Sequence, residues 1–310
     1  MAKDYCVGVD LGATNIKIGL LRNRRIISKK VLPTQSFTSQ KNLIEGICRN
    51  IRQGVSEAGM AMADISGIGI GLPGPVDSKR GIVHFFPNIR GWRKVALREI
   101  MRKKMRLPVT IDNDANVMTL AEARIGAARG KRNVVGLTLG TGVGGGIVVD
   151  GNLYRGSSLA AGEIGHIPLN ERGPKCNCGG KACLERYIGN RYLLENARKA
   201  FGPAITLEAL SRLASRGNRK AIAVWKEMAG HLGVALSGVI NFFNPDTVVI
   251  GGGVANAGRI IIDQVRRVVK ERAMPTQART VKIVRARLGS DAGMIGAGIL
   301  LQEELSKNAG

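Results

Sequence analysis

The chain has 310 residues, of which 44% are hydrophobic and 23% charged, the make-up of a globular protein with room for two domains. No apolar run reaches the roughly 18–20 residues of a membrane-spanning helix, and Met1-Ala2-Lys3-Asp4 leads into a strand instead of a signal peptide, so a cytoplasmic protein is expected. Against 23 acidic residues stand 47 basic ones, a net charge of +24 that favours anionic partners.

The basic residues gather at 22–30, 98–106, 266–272 and 279–287, scattered along the chain. None of these runs is interleaved with aromatic residues, which argues against a stacking platform for nucleic acid.

The first motif is Cys6-Val7-Gly8-Val9-Asp10-Leu11-Gly12-Ala13-Thr14-Asn15-Ile16-Lys17, a strand, a glycine turn and a second strand. A turn at 22–25 and a strand over 26–32 follow. Leu43, Ile47, Ile51 and Val55 recur at four-residue spacing and predict a helix over 39–58. A buried strand over 65–72 runs into Pro73-Gly74-Pro75, a rigid loop at a strand's carboxyl end that suits either a structural turn or a substrate loop. Pro87-Asn88-Ile89-Arg90-Gly91-Trp92 is a second loop, and 95–105 reads as a basic helix.

A strand over 109–112 breaks at Asn113-Asp114-Ala115-Asn116 before a helix expected over 117–128. Asp and Asn ahead of a helix serve as N-caps. An Asp at a strand end can also take the proton of a substrate hydroxyl. Both roles are compatible, with Asn113 or Asn116 capping and Asp114 as the base.

The segment over 134–149 repeats the opening shape around Gly140-Thr141-Gly142-Val143-Gly144-Gly145-Gly146. Glycine there lets backbone N–H groups approach phosphate oxygens. Its letters also match a dinucleotide fingerprint, but a strand follows where that motif needs a helix. Aligned by their turns, Gly12 falls on Gly142, which suggests two similar half-structures.

His166, Cys176, Cys178 and Cys183 fall within 18 positions and make a Cys₃His set suited to a closed, structural Zn²⁺ site. Cys6 and Cys48 lie among apolar residues and read as core, while His84 and His231 have no neighbouring ligands. Helical patterning covers 188–237, including 205–216, and 219–241, where Asn244-Pro245-Asp246 stops it. A short strand over 247–250 leads into Gly251-Gly252-Gly253. A helix over 259–272, a strand over 281–286 and a last helix opened by small residues at 288–298 close the chain.

Together these motifs resemble the ROK family of sugar kinases and repressors, its glucokinase branch above all, across essentially the whole chain. Asp10-x-Gly12-x-Thr14-Asn15-x-Lys17 and Gly140–Gly146 resemble the family's two phosphate motifs, and Gly251-Gly252-Gly253 its adenosine motif. The specific part is Glu163-x-x-His166 with the three cysteines and Glu185; Ala182 departs from it, since the family usually has Gly before the last cysteine.

The resemblance implies an α/β, actin-like ATPase (ribonuclease H-like) fold with two α/β domains around a cleft. The small domain would span 1–116 plus 298–310, and the large one, with the zinc loop, 117–297. It implies ATP-dependent phosphorylation of a hexose, glucose first, with Asp114 as general base. Gly74, Asn88, Asn113, Glu163, His166 and Glu185 would bind the sugar. Asp10 would organise Mg²⁺; Gly12, Thr14, Asn15, Lys17, Thr141 and Gly142 would serve the phosphates, and Gly252 and Gly253 the nucleoside. His166, Cys176, Cys178 and Cys183 would hold zinc. A homodimer or homotetramer is implied as well. Two alternatives stay open: N-acetylmannosamine, N-acetylglucosamine or fructose as the sugar, or a sugar-sensing transcriptional regulator. Regulators of the family carry a helix-turn-helix ahead of the first phosphate motif, and nine residues precede Asp10 here.

Overall fold

The computed structural model describes residues 4–86 and 92–308. Its first half contains β1 (Tyr5–Leu11), β2 (Asn15–Arg22), β3 (Arg25–Pro33), α1 (Gln40–Glu57), β4 (Ile65–Leu72), β5 (Val76–Asp77), β6 (Ile82–Phe85), β7 (Arg93–Val95), α2 (Leu97–Met105), β8 (Val109–Asn113) and α3 (Asp114–Arg124). After it come β9 (Val134–Leu139), β10 (Val143–Val149), β11 (Asn152–Tyr154), α4 (Glu185–Ile188), α5 (Asn190–Phe201), α6 (Leu207–Ser215) and α7 (Arg219–Phe243). The chain closes with β12 (Thr247–Gly251), α8 (Arg259–Arg272), α9 (Pro275–Thr280), β13 (Lys282–Arg285) and α10 (Ala292–Asn308). No helix among the described residues is long and apolar enough to cross a membrane.

The chain divides into two compact units. Unit 1 comprises Met1–Ala121, Arg155–Ala161 and Asp291–Gly310, and unit 2 comprises Glu122–Tyr154 and Gly162–Ser290. The five-stranded sheet of unit 1 has the order β3-β2-β1-β4-β8, with β1–β2–β3 antiparallel and β4 and β8 parallel to β1. That of unit 2 has the order β11-β10-β9-β12-β13, again an antiparallel trio followed by two parallel strands. Strand for strand the topology repeats, which accounts for the two glycine turns of matching shape.

In unit 1 the inner strands are buried on both faces, so β1 and β4 read as almost unbroken apolar runs. Helix α1 starts where Ser39 Oγ accepts from the Asn42 N–H at 3.2 Å, and lays Leu43, Ile47, Ile51 and Val55 into the core. Helix α10 lies so close to the sheet that a Cβ on Gly8 would overlap the Met294 carbonyl, and one on Gly69 the Ala297 carbonyl. On α10 itself, a Cβ on Gly296 would strike the Val117 backbone in α3.

Several elements differ from the sequence reading. A small sheet of order β5-β6-β7 was not foreseen; its strands span only two to four residues, too short for an alternating pattern to register. Val95 belongs to β7, and α2 starts at Leu97. Helix α3 starts at Asp114, three residues before the expected 117, because Asn113 Oδ1 accepts from the N–H groups of Ala115 (2.9 Å) and Asn116 (3.3 Å). Asn113 is thus the cap, and Asp114 stands on the first turn of the helix.

Unit 2 has its own core, built on Trp225, Leu232, Leu236 and Ile240 of α7 against β9, β12 and α8. Asn218 Oδ1 accepts from the Ala221 N–H at 3.1 Å at the start of α7, and Asn244, left-handed at φ 49°, ends it before Pro245. Helix α9, opened by Pro275 at its first position, was also unforeseen; six residues give no periodicity to read.

Candidate active site

In unit 1, strand register places Asp10 of β1 opposite Gly71 of β4, and Gly71 opposite Asp112 of β8, all near the strands' carboxyl ends. Open α/β sheets present ligand sites at such ends. Lys17 faces Asp10 across β1–β2, with Nζ 3.8 Å from Oδ2. Burial pushes the Asp10 carboxyl up to about 6; Lys17 works against that rise, and the charges of Asp114 and Asp291 add to it. Asp291 is itself paired with Lys29 at 2.9 Å.

The first glycine turn closes through the Gly12 N–H donating to the Asn15 carbonyl (3.0 Å) and Thr34 Oγ1 donating to the Gly12 carbonyl (2.7 Å). The Thr34 N–H donates to the Thr14 carbonyl at 2.9 Å, and both Thr14 and Asn15 are exposed at the tip. Gly74 takes φ +88°, where a Cβ would lie 2.8 Å from the Phe85 carbonyl oxygen, so only glycine fits. Its own carbonyl accepts from Asn113 Nδ2 at 3.4 Å, tying the Pro73-Gly74-Pro75 loop to the turn that carries Asp114. Asn88 lies outside the described residues.

Directly behind Asn113 is a network that sequence reasoning missed. Asp112, its side chain 3% exposed, binds Arg155 Nε through Oδ2 at 2.6 Å. Its Oδ1 accepts from the Asn113 N–H (2.7 Å) and from Asn116 Nδ2 (2.8 Å). A buried carboxylate with three donors fixes the start of α3, and hence Asp114, from below. The only signal in the letters was an Asp inside an apolar strand.

In unit 2, the Gly140 N–H donates to the Gly142 carbonyl (3.0 Å), and Glu185 Oε2 accepts from the Val143 N–H (2.9 Å). Glu185, first residue of α4, therefore braces the second glycine turn, and the Asn190 N–H holds the Gly140 carbonyl at 3.0 Å. Gly252, at φ +86°, packs where a Cβ would overlap the Leu139 backbone, which seats the Gly251–Gly253 turn beside the end of β9.

A second cluster in unit 2 brings His166, Cys176, Cys178 and Cys183 together, their donor atoms within 4.8 Å of one another. Cys178 Sγ lies 3.6 Å from Cys183 Sγ, and Cys176 Sγ 3.7 Å from His166 Nδ1. A tetrahedron with metal–sulfur distances of ~2.3 Å and metal–nitrogen distances of ~2.0–2.1 Å spaces its ligand atoms roughly 3.4–3.8 Å apart. The donor types, and the spacing of these two pairs, fit a closed four-ligand site. Ala182 sits at φ +55° just before the last cysteine, a left-handed backbone that a non-glycine residue takes at some strain. His166 Nε2 points the other way, 3.9 Å from Glu163 Oε2.

The expected residues thus fall into three groups. Asp10, Lys17, Gly74, Asn113 and Asp114 belong to unit 1. Around the glycine turns of unit 2 stand Thr141, Gly142 and Glu185 after β9 and Gly252 and Gly253 after β12, where Gly253 opens a 3₁₀ turn, and Glu163 lies 3.9 Å from His166 beside the Cys/His cluster.

Asp10 binds its proton more tightly in the folded chain than in the unfolded one, so its charge costs stability above about pH 6 and nothing below the usual carboxylate value. In metal-free buffer, Asp10→Asn should raise Tm at pH 7.5 by roughly 2–4 °C and give no gain at pH 4. Thermal unfolding at the two pH values measures this; an equal gain at both, or a fall at pH 7.5, would contradict it.

The pattern of the ROK family matches residues 6–304. A glucokinase of Thermotoga maritima is 35% identical, over 98% of this chain and 99% of its own length. A ROK family glucokinase from Streptomyces griseus, solved in complex with glucose and AMPPNP, superposes with a TM-score of 0.84 at 32% identity, covering 96% of this chain and 99% of that one. A xylose repressor of Caldicellulosiruptor bescii is 30% identical, over 94% of this chain and 76% of its own length. With its twice-repeated sheet topology, its glycine turns and its Cys/His cluster, the chain belongs to the ROK family and has the actin-like ATPase fold.

Proposed function

We propose that this chain is an ATP-dependent hexose kinase that transfers the γ-phosphoryl group of Mg-ATP to the 6-hydroxyl of glucose. The observation that carries the reading is Asp114 on the first turn of α3, braced by Asn113 and Asp112 and set near Asp10 at the carboxyl ends of one sheet. Phosphoryl transfer asks mainly for an oriented nucleophile and neutralised charge. Asp114 accepts the proton as the sugar hydroxyl attacks, while Asn113 hydrogen-bonds a neighbouring hydroxyl. Gly74 lines the sugar pocket; Asn88, expected beside it, lies outside the described residues. Glu163, His166 and Glu185 are the further hydroxyl ligands.

Asp10 would hold Mg²⁺, whose charge would lower the cost of the crowded carboxylate and help neutralise the phosphates, and Lys17 offsets phosphate charge. The N–H groups around Gly12, Thr14, Asn15, Thr141 and Gly142 receive phosphate oxygens, and Gly252 and Gly253 let the nucleoside come close to the backbone. Zn²⁺ held by His166, Cys176, Cys178 and Cys183 would cross-link the loop that carries His166. With Nδ1 committed to that cluster, Nε2 is the ring nitrogen left for a hydroxyl. The family relatives support this reading, the complex with glucose and AMPPNP most directly. An N-acetylhexosamine or fructose is the alternative sugar. A cytoplasmic homodimer or homotetramer belongs to the same reading.

The net charge of +24 and the similarity to a xylose repressor favour a second reading, a sugar-sensing regulator that binds DNA. A salt-dependent, sequence-specific gel shift would establish it.

ADP release with Mg-ATP across hexoses and N-acetylhexosamines should show turnover on glucose first, and Asp114→Asn should lower kcat by about 10²–10⁴-fold with KM for glucose little changed. Full turnover in that variant would refute the base assignment. Elemental analysis should find one zinc per chain, lost in Cys178→Ser together with the thermal stability of unit 2. A zinc-free wild-type chain of unchanged Tm would refute the metal assignment.

A further inference from the structure

Away from every residue used above, unit 2 has a groove of about 730 Å³ where α8, α9 and β13 meet. β13 is the edge strand of its sheet, paired on one side with β12. Val269, Ala278, Val281 and Ile283 contribute apolar surface to the groove, and Arg266, Lys270, Arg279 and Lys282 contribute four cations. Among the described residues no acid lines it. The volume is that of a small-molecule site, for which the range is roughly 300–1,000 Å³.

The cations are arranged, not merely abundant. Arg266 donates through Nε and Nη2 to the Ile283 carbonyl at 3.1 and 2.7 Å, and Arg279 Nε donates to the Pro275 carbonyl at 3.0 Å. Backbone acceptors thus hold both guanidiniums in place, and Arg266 is in addition shared with one carboxylate. Of the acids on α8, Asp263 pairs with Arg266 at 3.5 Å and Glu271 with Arg267 at 4.0 Å, and among the described residues no carboxylate pairs with Lys270 or Lys282.

We infer that this groove binds an organic anion with an apolar body, a phosphate, sulfonate or carboxylate joined to an aromatic or aliphatic group. The apolar surface buries the body, and the cations receive the charged head at a site that already excludes competing acids. A second copy of the chain is a poor occupant, since it would bring four like charges to the same place. A strand adding to the edge of β13 would meet the Ile283 carbonyl already taken by Arg266. The groove shares its elements with the Gly251–Gly253 turn: β12, which pairs with β13, runs into that turn, and α8 begins at Arg259 after the 3₁₀ segment Gly253–Ala257.

The probe is 8-anilinonaphthalene-1-sulfonate, titrated by fluorescence and calorimetry into the full, zinc-loaded chain. One dye per chain should bind and stay bound when Mg-ADP is added. The neutral analogue N-phenyl-1-naphthylamine should bind at least about tenfold more weakly. Lys270→Glu/Lys282→Glu, and independently Ala278→Trp, which fills the groove without changing charge, should each weaken the dye by about tenfold or more. Arg24→Glu/Arg25→Glu, on an exposed turn of unit 1, should leave it unchanged. Dye binding that survives both groove variants, or that Mg-ADP displaces, overturns the assignment. So does tighter competition by a polyglutamate peptide or a single-stranded oligonucleotide, which would make the groove a macromolecular surface.

Discussion

Unit 1 depends on backbone meeting backbone where α10 crosses its sheet. Gly8 and Gly69 let the Met294 and Ala297 carbonyls rest on β1 and β4, and Gly296 does the same for α3. Gly293, one turn earlier on α10, abuts the Asp10 carboxyl, where a Cβ would fall 2.8 Å from Cγ. One helix therefore fixes the strand bearing Asp10 and the helix bearing Asp114 at once. A methyl group at Gly69 or Gly296 would push them apart, and packed interiors do not absorb such a shift cheaply. The absence of side chains at these glycines sets how closely Asp10 and Asp114 are held.

Charge works against that close packing. Burial raises the Asp10 carboxyl to about 6, and the charges of Asp114 and Asp291 add to that rise. Lys17 and Lys29 offset only part of this. Next to them, Asp112 is fully engaged with Arg155, Asn113 and Asn116. Burial also holds the Glu304 carboxyl above the usual range, with Arg155 working against the rise. The satisfied carboxylate shapes the turn, and the crowded one stands ready for a cation. Such a division is expected where structure gives up stability to function.

Much of this was legible in the letters. Long periodic or continuous apolar segments gave β1, β4, α1 and α8 within a residue or two. The Cys₃His set was visible because few residue types carry that chemistry. Four things were not. The start of α3 depended on which of two asparagines captured free N–H groups, a contest decided by geometry. Strands of two to four residues in the β5-β6-β7 sheet leave no period to detect. Arg155 and Asp112 are 43 positions apart, and nothing in either neighbourhood announces the other. Glu185 was read as a sugar ligand, whereas its contact with the Val143 N–H appears only in three dimensions.

The kinase reading has Asp114 draw a proton from one particular hydroxyl, that on carbon 6. It is tested most directly by phosphorus and carbon NMR of the product formed from Mg-ATP and glucose by the zinc-loaded chain, with 6-deoxyglucose alongside. A single phosphate ester on carbon 6, and no ester from 6-deoxyglucose, is the predicted result. An ester at another carbon, phosphorylation of 6-deoxyglucose, or no ester at all from folded, zinc-loaded protein would contradict it.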